Sequence, residues 1–289
     1  MIKTCWVCGG SSFNKVKSSN INSDITAQSF AITDKKYGVT LDIFKCGDCG
    51  FLQCHNFPDV LKYYEDMEDE GYEDSSKQRM IQMKRIVKSV KKYKKTGSFL
   101  DVGAGSGLLV SEAKKASFEA EGVEPSVWLQ KIAEKKGLNV HLGILSDMQT
   151  AKSFDVVSII DVIEHVENPL SLLEDVKEKM NDESVGIIVT PDCKSFMAKL
   201  LGWNWWHYRV AHIGYFDENT IKLILKKSGF NILSIARPNW YFPADYLIKR
   251  LSTYLPFLKF LPLPRFFSKI TIPLNLFDSM QIVIEKDKG

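Results

Sequence analysis

The stretch FLDVGAGSG, residues 99–107, limits the fold of this chain more than any other. Phe99, Leu100 and Val102 read as the end of a buried strand, Gly103, Gly105 and Gly107 as a flexible turn, and LLVSEAKKA from Leu108 onward has helical spacing. The alternation continues through EAEGVE (strand), SVWLQKIAEKKG (helix), NVHL (strand) and FDVVSII (strand). Strands alternating with helices predict a parallel sheet covered on both faces. The ligand of such a sheet lies at the carboxyl ends of its strands, where the glycine turn sits. With G-x-G-x-G spacing and Leu108 next, the dinucleotide fingerprint is not met, and no P-loop Gly-Lys-Ser/Thr follows. Glu124, at the end of the second strand, fits a carboxylate accepting both ribose hydroxyls. The combination predicts a nucleoside ligand without phosphates.

Four of the six cysteines fall into two pairs, Cys5 and Cys8 in CWVCGG and Cys46 and Cys49 in CGDCG, each followed by glycine. A CxxC turn points two thiolates at one ion, and the glycine lets backbone amides approach the sulfurs. Two such knuckles supply four tetrahedral ligands, so a structural Zn²⁺ is expected, with no open position for water. The segments DITAQSFAIT and GVTLDIFK between them are β-rich, which predicts a ribbon of short antiparallel strands over residues 1–60. Cys54 and Cys193 stand alone and read as small apolar residues, with Cys54-His55 as a stand-in ligand pair.

Residues 61–96 form a linker and an amphipathic helix, with Met80, Met83, Ile86, Val87, Val90 and Tyr93 on one face and lysines from Lys84 to Lys95 on the other. That lysine face could track RNA phosphates, but the net charge of +3 argues against nucleic acid as partner. The N-terminus lacks an apolar run suited to a signal peptide, and no stretch reaches about 18 uncharged apolar residues, so a cytoplasmic protein is expected.

The third region, 97–289, resembles the class I S-adenosylmethionine-dependent methyltransferases through residues 97–237. LDVGAGSG looks like their first motif and GVEPS their second, and SFDVVSIIDVIEHVENP with GIIVTPD looks like their fourth and fifth strands. The whole chain is similar to bacterial methyltransferases with an N-terminal zinc ribbon that modify sugars and polysaccharides. The ribbon, the YY before the domain and WNWWHYRVAHIGYF after the fifth strand carry that likeness. The resemblance implies a Rossmann-like α/β fold, a seven-stranded, mostly parallel sheet whose last strand, DSMQIVIEK, returns antiparallel beside FNILSIAR. It implies that Asp101, Gly103, Ala104, Gly105 and Gly107 face the methionine end of S-adenosylmethionine, joined by Asp161, and that Glu124 and Pro125 face the ribose. The GILSD loop, with Leu145 and Asp147, would meet adenine; relatives carry an acid directly after that strand, where Ile144 and Leu145 stand here.

In DVIEHV, a helical turn would bring Asp161, Glu164 and His165 together at i, i+3 and i+4. Three readings stay open. His165 is a lone general base; or the three residues hold a Mg²⁺-like ion, as the resemblance to ubiquinone-pathway O-methyltransferases and small-RNA 2′-O-methyltransferases implies; or Glu164 and His165 only cap the loop. His207 and His212 are further candidates for ligand or base. Trp206, His207, Tyr208, Arg209 and Tyr215 form an expected aromatic lid for a sugar ring, with Arg209 suited to a phosphate or carboxylate. The expected activity is O-methylation of a sugar, polysaccharide or lipid-linked glycan hydroxyl. An RNA base methyltransferase and a non-catalytic cofactor-binding module are the alternatives.

Residues 238–277 interrupt the closing hairpin and are rich in Leu, Phe and Tyr, with Lys249, Arg250, Lys259, Arg265 and Lys269 against Asp245. Leu247, Leu251 and Leu255 share a helix face, and Pro256, Pro262 and Pro264 stop the helix beyond it. Such a segment packs on the domain, forms a homodimer interface, or lies on the inner face of the membrane.

Overall fold

The computed structural model describes residues 4–288 except 32–35, 56, 58, 70–71, 73–75, 149, 253–254, 256 and 258–264. Pro256, Lys259, Pro262 and Pro264 of the insertion lie outside the described residues, as does the side chain of Arg265. The N-terminal part contains β1 (Phe13–Lys17), β2 (Ile43–Cys46), β3 (Leu52–Cys54), α1 (Val60–Glu65) and α2 (Ser76–Val90). The alternating part runs β4 (Gly97–Val102), α3 (Leu108–Lys115), β5 (Phe118–Glu124), α4 (Val127–Lys135), β6 (Val140–Leu142), β7 (Phe154–Ile160), α5 (Pro169–Lys179) and β8 (Met180–Pro191). After it come α6 (Phe196–Leu201), β9 (Gly214–Tyr215), α7 (Glu218–Lys227) and β10 (Phe230–Ala236). The chain closes with β11 (Trp240–Pro243), α8 (Ala244–Leu251), β12 (Thr271–Leu274) and β13 (Ser279–Lys286).

Seven strands form the main sheet in the order β10-β13-β8-β7-β4-β5-β6. β4 to β8 pair in parallel, and β13 runs antiparallel between β8 and β10. This is the methyltransferase-type Rossmann-like sheet that the alternation and the resemblance predicted. Its central strands are near-continuous apolar runs because both faces are covered. Leu100, Val102, Val157 and Ile159 pack toward α7, and Phe99, Val156, Ile187 and Val189 toward α2 and α3. Helix starts are fixed locally: the Ser126 hydroxyl accepts from Leu129 N, Asn168 precedes Pro169 at the first helical position, and Asp217 accepts from Asn219 N and Thr220 N.

Two local expectations change. DITAQSFAIT is not strand where it is described: Ala27–Phe30 is a 3-10 turn, because burying Phe30 face to face on Tyr63 at 5.0 Å needs one turn rather than a ladder. The amphipathic helix stops at Val90, where the chain turns through Lys91–Tyr93, so Tyr93 is exposed and Lys91 to Lys95 do not extend the helical face.

The small sheet has four strands, β1-β2-β3-β9, and the fourth comes from beyond the seven-stranded sheet's fifth strand in the chain. Leu52 and Gln53 pair with Tyr215 and Gly214, and Phe51 packs on Phe216 with ring centroids 4.8 Å apart. Cys5, Val7, Cys46 and Phe51 belong to the same apolar cluster as Ile163, Ile221 and Ile224. In the insertion, β11 and β12 pair antiparallel with α8 between them. Gln78 of α2 donates to the Thr271 hydroxyl, and the Trp240 indole to the Ser279 hydroxyl.

Candidate active site

At the mouth of β4 the chain must turn sharply, and Gly103 and Gly105 take φ of 72° and 55°. A Cβ on Gly103 would run into the Val162 side chain, and one on Gly105 would stand 2.5 Å from Tyr72 Oη. The turn is tied to β5: Gly103 N and Ala104 N donate to Val123 O, and Gly105 N donates to Glu124 Oε2 at 2.7 Å. Ser126 N donates to Glu124 Oε1 at 2.9 Å. Each carboxylate oxygen can accept a second hydrogen bond, so Glu124 still has room for hydroxyl donors. Ser158 donates to Asp101 Oδ1 at 2.6 Å.

Burial, opposed only in part by these donors, pushes the Asp101 and Glu124 carboxyls up to about 7. Asp161 also rises to about 7 through burial, with the nearby Arg79 charge pulling the other way. Arg79 lies over the Tyr72 ring at 3.4 Å, and its Nη1 is buried with no hydrogen-bond partner among the described residues. Two buried carboxyls and the half-buried Asp161 around a glycine turn fit a cationic ligand with ribose hydroxyls, and Leu129, Ile144 and Leu145 give the cavity an apolar side for a base.

Gly103, Ala104, Gly105, Asp101, Glu124, Pro125, Leu145 and Asp161 all line one cavity of about 2320 Å³. Gly107 and Asp147 do not line it. Gly107 precedes α3 with φ 77°, and the Asp147 carboxylate accepts from Ile144 N at 3.2 Å, closing its own turn.

The turn after β7 differs from a simple helical turn. Asp161 has φ 52°, and only Ile163–His165 is helical, as a 3-10 turn. Asp161 therefore stands apart, and the residues that converge are Glu164, His165 and His212, whose donor atoms lie within 4.8 Å of one another. A carboxylate with two imidazoles is a borderline-soft donor set, which fits a transition ion better than Mg²⁺.

His165 Nδ1 lies 2.7 Å from both Tyr64 Oη and Ala211 O. A carbonyl cannot donate, so Nδ1 carries the proton and Nε2 keeps the lone pair. Burial lowers His165 to about 4 and His207 to about 3, and it takes His212 well below the ordinary range, so all three rings are neutral near pH 7. Burial, followed by the Asp161 charge, raises Glu164; its Oε2 accepts from Thr190, and Oε1 has no partner among the described residues.

Of the expected lid, Trp206, His207 and Arg209 line the cavity, as does the candidate base His212. Tyr208 and Tyr215 do not: they are buried in the apolar cluster shared with Ile43 and Trp205, because this segment also closes the small sheet. The Arg209 guanidinium donates to Ala31 O. Further wall comes from Tyr64, Tyr72 and Arg79 and from Trp240, Tyr246, Leu247 and Leu251 of the insertion. The YY pair at Tyr63-Tyr64 and Arg79 beside Gln78 and Gln82 on the buried side of α2 were visible signals; for the insertion, no motif marked a cavity wall.

At the other end, Cys5 Sγ lies 3.6 Å from Cys49 Sγ, and Cys8 Sγ 3.5 Å from Cys46 Sγ. A tetrahedral Zn²⁺ with Zn–S of about 2.3 Å needs sulfurs about 3.8 Å apart, so the four cysteines fit that ion.

Residues 77–235, more than half of the chain, match the family model of a methyltransferase domain. The ubiquinone biosynthesis O-methyltransferase of Actinobacillus pleuropneumoniae serotype 7 is 31% identical over 117 residues, 36% of this chain and 50% of that protein. The mitochondrial counterpart from Schizosaccharomyces pombe is 28% identical over 111 residues, covering 35% and 40%. The chain thus spans about half the length of the curated relatives it matches. Among solved structures, an S-adenosylmethionine-dependent methyltransferase from Archaeoglobus fulgidus shares 20% identity at a TM-score of 0.51, over 75% of this chain and 100% of that one. Magnesium protoporphyrin IX methyltransferase from Synechocystis, with bound S-adenosylhomocysteine, shares 15% at 0.50, over 79% and 94%.

Proposed function

This chain belongs to the methyltransferase-domain family, and from that premise we propose that it moves a methyl group from S-adenosylmethionine to a hydroxyl oxygen of a small-molecule acceptor. The observation that carries the reading is one cavity with the glycine turn and its buried carboxyls on one side and the His165 imidazole on the other. At about 2320 Å³ it exceeds the roughly 300–1,000 Å³ of a single-ligand pocket, which leaves space for cofactor and acceptor together.

When bound, S-adenosylmethionine supplies an electrophilic methyl carbon on a sulfonium. Asp101 and Asp161 would face its ammonium end, with Arg79 beside its carboxylate, and Glu124 would take the ribose hydroxyls. His165 Nε2 accepts the acceptor's hydroxyl proton as the new O–C bond forms, and the electrons of the broken S–C bond stay on sulfur. Tyr64 and Ala211 O hold the ring in the tautomer that leaves Nε2 free. The apolar walls keep water from competing as acceptor.

A second reading has its own observation, the convergence of Glu164, His165 and His212. A divalent transition ion held there would lower the pKa of an acceptor hydroxyl. A chelator that leaves the cysteine-bound Zn²⁺ in place separates the two: only the metal reading loses turnover.

The acceptor we favour is a sugar, polysaccharide or lipid-linked glycan precursor in the cytoplasm, met at the inner membrane face through the insertion 238–277. Trp206, His207, Trp240 and Tyr246 on the cavity wall suit the faces of sugar rings. An acceptor screen over nucleotide sugars and lipid-linked glycans, with mass detection of the added methyl, tests this. Methylation of phenolic acceptors alone would replace the glycan reading.

A further inference from the structure

Nine of the fifteen large apolar side chains that stand in solvent among the described residues come from two segments. Three are Phe196, Leu200 and Trp203, on α6 and the turn after it; six lie between 251 and 277, among them Leu255, Phe257 and Phe277. Phe196 is 71% exposed and Leu200 64%, and their spacing of four puts them on one side of a helical turn. A chain with an otherwise well-sorted core does not leave this much apolar surface bare by composition alone.

The two segments are joined through Tyr37 and Gly38. The Arg250 guanidinium on α8 lies 4.8 Å from the Tyr37 ring. Gly38 N donates to Tyr208 O, and a Cβ on Gly38 would stand 2.8 Å from Trp203 O. Both segments also reach the cavity, α6 through Met197 and Leu201 and α8 through Leu247 and Leu251. The bare apolar surface therefore flanks the cavity.

Charge decides what would cover it. In sequence, residues 246–277 carry five Lys or Arg and no Asp or Glu, of which Lys249, Arg250 and Lys269 have described side chains, and residues 193–207 carry no acid and two lysines, Lys199 and Lys194, the latter paired with Asp217. Lys199, Lys249 and Lys269 are exposed, and Asp245, one turn before Lys249, is paired with it at 3.1 Å. Two copies meeting through this face would set cation against cation. Aromatic and aliphatic side chains interleaved with cations fit the interfacial layer of a negatively charged bilayer, with the rings at headgroup depth and the lysines on the phosphates. No helix among the described residues is long and apolar enough to cross a membrane.

We infer that α6 with Trp203 and the insertion together form one docking surface for an anionic bilayer, which turns the cavity toward the lipid so that an amphiphilic acceptor reaches it from the bilayer. The inference rests on the methyltransferase reading for what the cavity holds. The surface itself can be tested without turnover.

The full chain is sedimented with vesicles of phosphatidylcholine and with vesicles one-third phosphatidylglycerol, at low and high salt, while S-adenosylhomocysteine affinity is measured by calorimetry. Binding is expected to the anionic vesicles, weakened by salt. The pair Phe196→Ser with Leu200→Ser and the pair Leu255→Ser with Phe257→Ser should each weaken it by about tenfold or more, since each removes two apolar anchors. Val127→Ser, an exposed apolar position elsewhere, should leave it within about twofold. All variants should keep the cofactor affinity. Wild-type protein remaining in the supernatant overturns the inference, as does an α6 pair that binds like wild type. Self-association that the variants abolish, without vesicle binding, makes the surface a contact between copies. Failure of the wild type to bind S-adenosylhomocysteine would instead strike the methyltransferase reading, whatever the vesicles show.

Discussion

In the proposed mechanism His165 concentrates the chemistry in one ring whose two nitrogens have different jobs, Nδ1 fixed by Tyr64 and Ala211 and Nε2 left with its lone pair. His165→Ala should lower kcat by about two to four orders of magnitude, the usual worth of a positioned base, while S-adenosylmethionine affinity stays; unchanged kcat would remove His165 from the mechanism. Because burial lowers the imidazole to about 4, kcat with S-adenosylmethionine saturating should stay level as pH falls from 8 and drop only below about 5, and an acid limb of kcat near 6.5 would contradict this base. The same shift bears on stability. The unfolded chain binds a proton at His165 near 6.5 and the folded chain only near 4, so stability is full above 6.5 and declines as pH falls through that window. The carboxyls act in the opposite direction: with Asp101, Glu124 and Asp161 raised to about 7, docking a cation beside them pulls protons off. S-adenosylmethionine binding at pH 7 should release protons, seen as a calorimetric enthalpy that varies with the buffer's ionisation enthalpy; no buffer dependence would count against those raised values. Little of this was legible from residue types. DVIEHV pointed to the right turn, but the positive φ of Asp161 breaks the i, i+3, i+4 arithmetic, and His212 arrives from 47 residues further along the chain.

Elements were legible where a periodic pattern had one physical cause. The strands from β4 to β8 are apolar because both faces are covered, so their succession along the chain followed from the alternation, and the antiparallel return of β13 from the resemblance. The glycine turn was readable for the same reason: few sequences other than G-x-G-x-G hold a strand-to-helix turn with three positive φ values. Gly105→Ala should weaken cofactor binding by about tenfold or more, since its methyl meets Tyr72 Oη and φ 55° resists a side chain, while the fold survives. Calorimetry with S-adenosylhomocysteine beside circular dichroism checks this, and wild-type affinity would mean the turn is not the binding surface. The 3-10 turn at Ala27–Phe30 and the pairing of β11 with β12 were not readable. Each depends on a partner distant in sequence, Tyr63 for the first and a strand about 30 residues on for the second.

For the whole molecule, the small sheet and the large one behave as a single body. Cys54 N donates to Ile213 O at 2.7 Å, Ile213 N donates to Glu164 O at 3.0 Å, and Lys227 donates to Val7 O, so β3 is tied through Ile213 to the candidate catalytic turn and the first knuckle is tied to α7. We expect Cys5, Cys8, Cys46 and Cys49 to hold about one zinc per chain, and stripping it should lower the Tm of the entire chain in one transition. Two separate transitions, or an unchanged Tm, would show the knuckles to be an independent unit. The shared ladder between β3 and Gly214–Tyr215 also sets an order of events during synthesis. A growing chain can gather all four cysteines once Cys49 has left the ribosome, yet its sheet keeps an open edge at Leu52 and Gln53 until more than 160 further residues have been made. The cysteine-bearing sheet is thus translated well before the strand that completes it, a high-contact-order closure that makes the nascent chain a natural client for whatever shields exposed strand edges in the cell.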